Sequence, residues 1–414
     1  MSIKRKTKSS VAMVLPSFFP LPVGGSERQA FELAKSLINN DVKVVFFTPR
    51  RENTSKYENI EGIDVFRFST PILFFKKIIK QQNNEQAAPR TYPKVRFDYS
   101  SLSGDDLIYA KARITAKSTL GIIDLFLGML FGLLKKRRKF NIIQINTVTN
   151  FAVLGALSAK ILGKRAVIKD STMDGIIQMS NTPFPDSSRR FLTRNAFFVA
   201  MTAAIKNNYL KAGIPQDKIT TIPNGIKLNT IPTIEHTPNK KCLFVGNLTQ
   251  QPAKGIDILL SSWAIVIKQE PKATLTIIGD GDIAQYQNYV AGLGFNDSIT
   301  FTGKASPQKY YQDSEIFILP SRREGMSNAL MEAMAYGLKI VATDISGNQD
   351  LIEDRVSGVL VKPNDVNSLA DGIIYMLSNT SPLFAEKARK NISDICAMEK
   401  VSSQYAHLYS TLIA

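Results

Sequence analysis

The sequence predicts an α/β protein of two doubly wound, Rossmann-like domains that face each other across a cleft. Apolar runs of strand length alternate with segments of helical periodicity in both halves of the 414-residue chain. Such continuous apolar strands are typical of a parallel sheet that helices cover on both faces. The chain is also longer than one hydrophobic core usually fills, so two domains are expected.

The second half of the sequence shows this alternation most regularly. Apolar runs bounded by turn residues predict its strands, which are "KCLFVGNL", "ATLTIIGDGD", "SITFTG", "EIFILPS" and "LKIVATDIS". Apolar residues at helical spacing predict its helices, which are "KGIDILLSSWAIVIKQ", "IAQYQNYVAGLG" and "SPQKYYQDS". A further helix is expected to begin near Ser327 or Asn328, since either side chain can cap it.

The first half repeats the scheme less regularly. Its predicted strands are "VAMVLP", "VKVVFFTP", "FNIIQINT" and "KRAVIKDS", and its predicted helices are "GGSERQAFELAKSLIN" and "FAVLGALSAKILG". Between about residues 76 and 118 a polar, proline-containing stretch indicates a loop or excursion. The segment "IPNGIKLNTIPTIEHTPNKK" marks the boundary between the halves. We expect a first domain at 1–230, a second at 231–395, and a C-terminal helix at 396–414 that packs back on the first domain.

The excess positive charge is confined to the first half. Residues 1–230 hold 36 Lys and Arg against 16 Asp and Glu, whereas residues 231–414 hold 16 against 19, so the net charges are +20 and −3. A solvated basic surface would also carry such charge, but an asymmetry of this size favours an anionic partner for the first domain. Phospholipid, a lipid phosphate, an acidic glycan and nucleic acid all have the required charge.

Cysteine and histidine are too scarce for several kinds of site. Two cysteines, Cys242 and Cys396, do not make a disulfide framework and indicate a reducing compartment. His236 and His407 lie apart from each other and from cysteine, which argues against a zinc site or a histidine-based triad. The apolar run after the basic N-terminus is too short for a signal peptide, so we expect a cytoplasmic protein.

The stretch "SRREGMSNALMEAMAYG", residues 321–337, carries the strongest signal for a binding site. A strand ends before it and a helix begins inside it, so the N–H groups of residues 325–328 lie at a helix N-terminus and suit a diphosphate. Glu332 can accept hydrogen bonds from a ribose diol. Glu324 can hold sugar hydroxyls or offset positive charge at a sugar carbon. Acidic residues near a helix N-terminus also stabilise the helix without a ligand, so both interpretations are open at this point.

Three other strand ends carry weaker signals of the same kind. Lys254 can neutralise a leaving diphosphate, and Gly279 and Gly281 allow the close approach of a base or ribose. Gly24 and Gly25 open the first helix, where phosphate or sugar can meet backbone amides. Taken singly, each of these is better explained by a surface lysine or a plain turn.

Together these residues resemble the retaining glycosyltransferases of family four, which have the GT-B fold. The similarity covers most of residues 240–370 and is carried by "VGNL", "AKGIDILL", "LTIIGDGD", "ITFTGKAS" and "IFILPSRREGMSNALMEAMAYGLKIVATDISGNQDLIED". "GGSERQAFELAKSL" and "AGIPQDKITTIPNGI" resemble the family's N-terminal loop and interdomain segment. The resemblance implies transfer of a sugar, with retained configuration, from a nucleotide-sugar to a hydroxyl acceptor. A UDP-sugar is favoured over GDP-mannose, and neither a metal nor a cofactor is expected.

The resemblance also assigns roles to residues. Glu332 would hold the ribose, Glu324 the donor sugar and Lys254 the phosphates. The predicted catalytic residues are Glu324, Lys254 and Asp170. The predicted donor-binding residues are Gly24, Gly25, Asn247, Lys254, Gly279, Gly281, Lys304, Glu324, Gly325, Met326, Ser327, Asn328 and Glu332.

Two departures from the family pattern bear on catalysis. Asn247 stands where a phosphate-binding arginine is usual, and an amide has no charge to stabilise the leaving group, so Arg322 or Arg323 would have to compensate. The first domain also lacks the family's histidines, which are replaced by Gln144, Asn146, Lys169 and Asp170. A residue of the segment 169–171 (Lys169, Asp170 or Ser171) would then take over the sugar contact.

Residues 119–140, "TLGIIDLFLGMLFGLLKKRRKF", combine an apolar helix with a basic cluster. The apolar part has about 16 residues and is shorter than a membrane span of about 20. It fits a buried helix of the first domain, or a helix in the membrane interface with its cations on anionic headgroups. The second interpretation implies peripheral attachment to the inner membrane face and a glycan or lipid-linked acceptor, as in capsule, exopolysaccharide or O-antigen assembly.

Other functions compete with sugar transfer. A pI near 9.6 is typical of nucleic-acid-binding proteins, but no such motif and no aromatic stacking pattern appear, so no nucleic-acid partner is expected. A nucleotide-sugar-binding protein with weak or lost catalysis would be consistent with Asn247. A sugar-nucleotide epimerase has a similar two-domain architecture and would act on the donor without an acceptor.

Overall fold

The computed structural model describes residues 9–19, 24–50, 54–69, 119–170, 175, 185–232, 234, 236–249, 253–281, 283–292 and 294–414. It places their strands in two sheets, one in each half of the chain. The loop predicted at residues 76–118 and Ser171 lie outside the described residues.

The first sheet has eight strands in the order β3-β4-β2-β1-β5-β6-β7-β8. Its strands are β1 Ser10–Val14, β2 Lys43–Pro49, β3 Tyr57–Ile60, β4 Ile63–Phe68, β5 Ile142–Ile145, β6 Arg165–Lys169, β7 Ala196–Ala200 and β8 Ile219–Thr221. All neighbouring pairs are parallel except β3 and β4, which form an antiparallel hairpin. The strand order reverses between β1 and β5, and ligands of doubly wound sheets bind beyond the carboxyl ends of the strands at such a point.

Helices cover both faces of this sheet. The α-helices described in the first half are α1 Gly25–Asn39, α2 Thr119–Lys135, α3 Asn150–Ile161, α4 Pro185–Asn195 and α5 Ala203–Lys211. α1 begins with a capping box in which the Glu27 carboxylate accepts a hydrogen bond from the Gly24 N–H at 3.1 Å. This cap fixes the start of α1 at Gly24.

The second sheet has six parallel strands in the order β11-β10-β9-β12-β13-β14. Its strands are β9 Lys241–Val245, β10 Thr274–Ile278, β11 Ile299–Gly303, β12 Ile316–Leu319, β13 Lys339–Thr343 and β14 Val359–Val361. The helices that follow the first domain are α6 Ile256–Gln269, α7 Ile283–Ala291, α8 Gln308–Asp313, α9 Asn328–Tyr336, α10 Ser346–Gln349, α11 Val366–Ser378, α12 Leu383–Cys396 and α13 Met398–Ile413.

The prediction of two doubly wound domains is confirmed. Each of the nine predicted strands is present, and their apolar side chains are buried between the sheets and the helices. The hairpin of β3 and β4 was not predicted. Its turn residues, Glu61 and Gly62, both have positive φ, which is typical of a tight hairpin turn. The exposed side chains of β3 give it no continuous apolar run, and such a run was the signal used for the other strands.

Helix α2 corresponds to the apolar stretch with the basic end, and its faces differ in burial. One face is packed: Gly128 and Gly132 lie so close to residues 68–69 that a Cβ on either would clash, and Asp124 is buried. Another face exposes Ile123, Phe131 and Leu134. In the described residues, no helix has both the length and the apolarity that crossing a bilayer requires.

The chain returns to the first half through its last helix. After a break at Ala397, α13 packs against α1, where the Ser36 and Ser402 hydroxyls are 2.8 Å apart. The Tyr409 hydroxyl donates to Gln144 Oε1 at 2.5 Å inside the same region. These contacts agree with a C-terminal helix that packs back on the first domain; the domain limits themselves stay a prediction.

Candidate active site

The start of helix α9, just after β12, has backbone N–H groups that no helical hydrogen bond uses. The Ser327 hydroxyl caps the helix by accepting from the Leu330 N–H at 3.3 Å, as predicted from its residue type. The first helical bond runs from the Met331 N–H to the Ser327 carbonyl. The N–H groups of residues 325–328 therefore precede the helical ladder, and the positive end of the helix dipole adds to their attraction for an anion.

Lys254 and Glu324 form an ion pair beside this helix start. The Lys254 ammonium lies 2.6 Å from Glu324 Oε1, and the Ser321 hydroxyl donates to the same oxygen at 2.8 Å. Both charged side chains are largely buried. The pairing brings together two of the predicted catalytic residues, which are 70 positions apart in the sequence.

Glu332 is largely buried on the same helix. Tyr311 in α8 donates to Glu332 Oε2 at 3.0 Å. Burial raises the pKa of Glu332, and the Tyr311 hydrogen bond and the positive charge of Arg28 offset part of that rise. Arg28 belongs to α1 of the first half, so the carboxylate predicted to hold ribose lies where the two halves meet.

A series of polar contacts joins the two halves at this place. The Asn328 side-chain amide donates to the Gly25 carbonyl at 3.2 Å, and Gly25 has no room for a Cβ because the Asn328 amide occupies that position. Asn224 contacts the same loop twice, through its N–H to Met326 Sδ at 3.3 Å and through its amide to Asn328 Oδ1 at 3.4 Å. Lys169 donates to Asn224 Oδ1 at 2.9 Å. The predicted residues Gly25, Met326 and Asn328 are thus in direct interdomain contact.

Asn247, Gly279, Gly281 and Lys304 lie just beyond the ends of β9, β10 and β11. Asn247 Oδ1 accepts from the N–H and the hydroxyl of Thr249, at 2.9 and 2.7 Å, so its side chain stabilises the turn. A Cβ at Gly279 would meet the Gly246 carbonyl, and one at Gly281 would meet Leu248. Close backbone packing therefore accounts for both glycines without a ligand. Lys304 is exposed immediately after β11.

Arg322, considered above as a substitute for the missing arginine, is held by the chain itself. Its two terminal nitrogens donate to the two oxygens of Asp257 at 2.8 and 2.6 Å. This fork-shaped pair raises the pKa of Arg322 and fixes its guanidinium on the N-terminal turn of α6. A phosphate would have to compete with Asp257 for it.

The polar residues at the ends of β5 and β6 are buried. Gln144 donates to Asn146 at 2.9 Å and accepts from Tyr409, so the protein itself occupies its amide. Burial lowers the pKa of Lys169 to about 8, and its ammonium lies 5.7 Å from the Tyr405 ring centre. Asp170, the third predicted catalytic residue, follows Lys169 and is almost fully buried.

Three contacts around the site were not predicted from the sequence. Asn224 lies in the segment interpreted only as a domain boundary, although it joins Lys169 to the loop before α9. Tyr311 was interpreted only as part of a short helix, although its hydroxyl holds Glu332. Gln29 accepts from the Gly225 N–H at 3.2 Å and so joins α1 to the interdomain segment.

Comparison with known proteins connects this site to a family. Residues 239–379 match the family described as Glycosyl transferases group 1. The chain is 23% identical, over 97% of its length and 98% of the relative's, to an uncharacterized glycosyltransferase of Methanocaldococcus jannaschii. It is 26% identical to an uncharacterized glycosyltransferase of Haemophilus influenzae, with 62% of this chain and 66% of that protein aligned. The poly(ribitol-phosphate) alpha-N-acetylglucosaminyltransferase of Staphylococcus aureus is 25% identical, but the match covers 67% of this chain and only about half (52%) of that relative.

Solved structures share the fold over nearly the whole chain. Sucrose-phosphate synthase from Thermosynechococcus elongatus superposes with a TM-score of 0.70 at 17% identity, covering 98% of this chain and 99% of that one. The Anabaena protein HepE, in complex with UDP and glucose, gives a TM-score of 0.69 at 17% identity over 97% and 100% of the two chains. The fold predicted from the sequence, GT-B, is confirmed by these similarities.

Proposed function

We propose that this chain, which has the GT-B fold and matches the group 1 family over residues 239–379, is a glycosyltransferase that transfers a sugar from a UDP-sugar to a glycan or lipid-linked hydroxyl. The Staphylococcus relative is named for transfer of N-acetylglucosamine, and the HepE structure contains UDP, which supports UDP over GDP as the donor nucleotide. We further propose retention of the anomeric configuration without a metal ion.

The observation that carries this proposal is the ion pair of Lys254 and Glu324 beside the start of α9. A diphosphate placed at the N–H groups of residues 325–328 would meet the Lys254 ammonium and the positive end of the helix dipole. The Glu324 carboxylate would then be released from its cation and could accept hydrogen bonds from donor-sugar hydroxyls. One short segment therefore offers groups for both ends of the sugar–phosphate bond.

The proposed reaction breaks the bond between the anomeric carbon and the diphosphate oxygen. The acceptor oxygen forms the new bond to that carbon, and its proton passes to the departing diphosphate. Negative charge accumulates on the diphosphate, so Lys254 and the helix amides stabilise the transition state more than the ground state. Glu332 orients the nucleotide by accepting from the ribose, and Gly25 brings the first domain against the same site.

Calorimetric titration with UDP and with GDP, in the presence of a chelator, tests the donor site. Wild type is expected to bind UDP and to discriminate against GDP. Glu332→Ala removes a charged hydrogen-bond acceptor, which contributes about 1.5–3 kcal/mol, so its affinity for UDP is expected to fall about 10- to 150-fold. Glu386→Gln removes an exposed carboxylate from α12 of the same half and serves as the matched control.

Three outcomes separate this proposal from its alternatives. UDP binding followed by acceptor-dependent transfer from a UDP-sugar supports it. UDP binding without transfer to any glycan or lipid-linked acceptor would identify a nucleotide-sugar-binding protein, and conversion of the donor without an acceptor would identify an epimerase. Equal UDP affinity of wild type and Glu332→Ala would refute the assignment of Glu332 to the ribose.

A further inference from the structure

A basic pocket of about 560 Å³ opens at the edge of the first sheet opposite the candidate active site. It lies at the amino ends of β6 and β7, since Arg165 begins β6 and Ala196 begins β7. The active site lies beyond the carboxyl ends of the strands. Along β6 alone, the two edges are separated by about 13 Å, given a rise of about 3.3 Å per residue. A ligand in the basic pocket would therefore not overlap a bound nucleotide-sugar.

Five cationic side chains line the basic pocket, and none of the described residues that line it is acidic. The cations are Lys160, Lys164, Arg165, Arg194 and Lys218. Among the described residues, none of the five is paired with a carboxylate. Two of them contact neutral groups: Lys160 lies over the Phe191 ring, and Arg165 Nε donates to the Leu412 carbonyl at 3.1 Å.

Stabilisation of helix ends explains only part of this charge. The Lys218 ammonium donates to the carbonyls of Thr193 and Arg194, at 2.8 and 2.9 Å, and so caps the end of α4. Helices α3 and α4 both end at the pocket, and each C-terminus contributes roughly half a negative charge. About one unit of negative charge therefore faces five positive charges. The remainder is available for an external anion, and clustered lysines and arginines favour phosphate.

Apolar side chains beside the pocket favour a lipid phosphate over a soluble one. Ile161, next to Lys160, is 55% exposed, and Phe131, near the end of α2, is 58% exposed. Leu134 is exposed one turn further on and is followed by the basic run Lys135–Lys139. α2 packs against α3, and both helices end at the amino edge of the sheet, so this surface has exposed apolar groups bordered by cations. That combination is typical of proteins that bind the membrane interface.

We propose that the basic pocket binds the phosphate headgroup of an anionic phospholipid and, with the exposed residues of α2 and α3, docks the first domain on a membrane surface. Cations near a bilayer attract its anionic leaflet, and exposed apolar side chains enter the headgroup region. This surface lies away from the donor site. The assignment is therefore independent of the proposed sugar transfer, and each can fail without the other.

Vesicle flotation of the full chain tests the assignment. Wild type is expected to float with phosphatidylcholine vesicles that contain about one third phosphatidylglycerol, and not with pure phosphatidylcholine. The triple variant Lys160→Gln/Lys164→Gln/Arg194→Gln is expected to lose roughly 100-fold in affinity for the anionic vesicles, because each juxtamembrane cation contributes roughly a factor of five. The triple variant Lys241→Gln/Lys268→Gln/Lys272→Gln removes the same charge from exposed positions of the second half and is expected to bind like wild type.

Further measurements separate lipid from other anions. Phe131→Ser/Ile161→Ser is expected to weaken vesicle binding while the circular dichroism of the protein is unchanged. Saturating UDP should leave flotation unaltered. The proposal would be overturned if wild type did not bind anionic vesicles. It would also be overturned if the pocket triple variant and the control triple variant lost affinity for the vesicles equally. Calorimetric binding of inorganic tripolyphosphate without vesicle binding would also overturn it, in favour of a soluble anion.

Discussion

The buried ammonium of Lys169 makes the stability of the protein depend on pH in a way that one substitution can remove. Lys169 lies at the carboxyl end of β6, hydrogen-bonded to Asn224 and against the ring of Tyr405. Burial lowers its pKa from an ordinary 10.5 to about 8. A methionine at this position fills a similar volume and has no charge. The Lys169→Met variant is therefore expected to lose the dependence on pH that the ammonium causes.

The sign and size of the effect follow from the lowered pKa. Below pH 8 the lysine is protonated in both states, and the folded protein carries the whole penalty of the buried charge, about 3 kcal/mol. Between pH 8 and 10.5 the unfolded chain binds more protons than the folded one, so the free energy of unfolding rises with pH. About 2 kcal/mol of this rise should be complete by pH 9.5. At pH 7 the Lys169→Met substitution removes the free-energy cost of burying the charge. It also removes the charged hydrogen bond to Asn224, which is worth about 1.5–3 kcal/mol, so the two effects on the free energy of unfolding offset each other.

Urea unfolding followed by circular dichroism at pH 7 and pH 9.5 measures this difference. The raised pKa values of Tyr405 and Cys396 lower stability at high pH, but wild type and variant share these groups, so their effects cancel in the difference. Lys268→Met, at an exposed position, is the control, and its free energy of unfolding should change with pH as that of wild type does. A difference between wild type and Lys169→Met that does not change from pH 7 to 9.5 would refute the reasoning.

Three further predictions concern the site and the second sheet. Lys254→Ala should reduce kcat for sugar transfer about 10²- to 10³-fold through lost stabilisation of the diphosphate; a kcat within threefold of wild type in steady-state assays would contradict this. Asn328→Ala removes an amide that bridges the domains and should raise the donor KM about fivefold, roughly 1 kcal/mol, whereas an unchanged KM would show that the bridge does not order the site. Lys339→Met leaves the Glu315 carboxylate buried without its cation at 2.7 Å and should lower the free energy of unfolding by about 3 kcal/mol in urea titrations; restored stability in Lys339→Met/Glu315→Gln would confirm the cause.

The features predicted correctly from the sequence are those encoded locally. Continuous apolar runs specify buried parallel strands, and Ser327 caps α9 because its side chain reaches a donor three residues away. The placement of a helix N-terminus between Glu324 and Glu332 follows from the same short-range rules. Hairpin β3–β4 was missed because the exposed side chains of β3 break its apolar run.

The contacts that assemble the site could not be predicted, because they join distant segments. Gly25 and Asn328 are separated by 303 positions, and nothing in the spacing of either stretch encodes their 3.2 Å contact. Lys169 was one of three candidates for the sugar contact, with Asp170 and Ser171, yet it is buried and donates to Asn224. Periodicity indicates which face of an element is covered, but not which polar side chains meet when two domains pack.

The charges at the start of α9 also indicate which cation could stabilise a diphosphate when position 247 is asparagine instead of the usual arginine. Asn247 is engaged in its own turn, and Arg322 is paired with Asp257, so the cation best placed for a diphosphate is Lys254. Glu324 neutralises that lysine at 2.6 Å. A nucleotide-sugar can replace both partners at once, because its phosphates take the ammonium and its sugar hydroxyls take the carboxylate. A free diphosphate can replace only one, and would leave Glu324 largely buried without a cation. The proposed exchange therefore favours the intact donor over its diphosphate product, which is the preference that a transferase needs to release its leaving group.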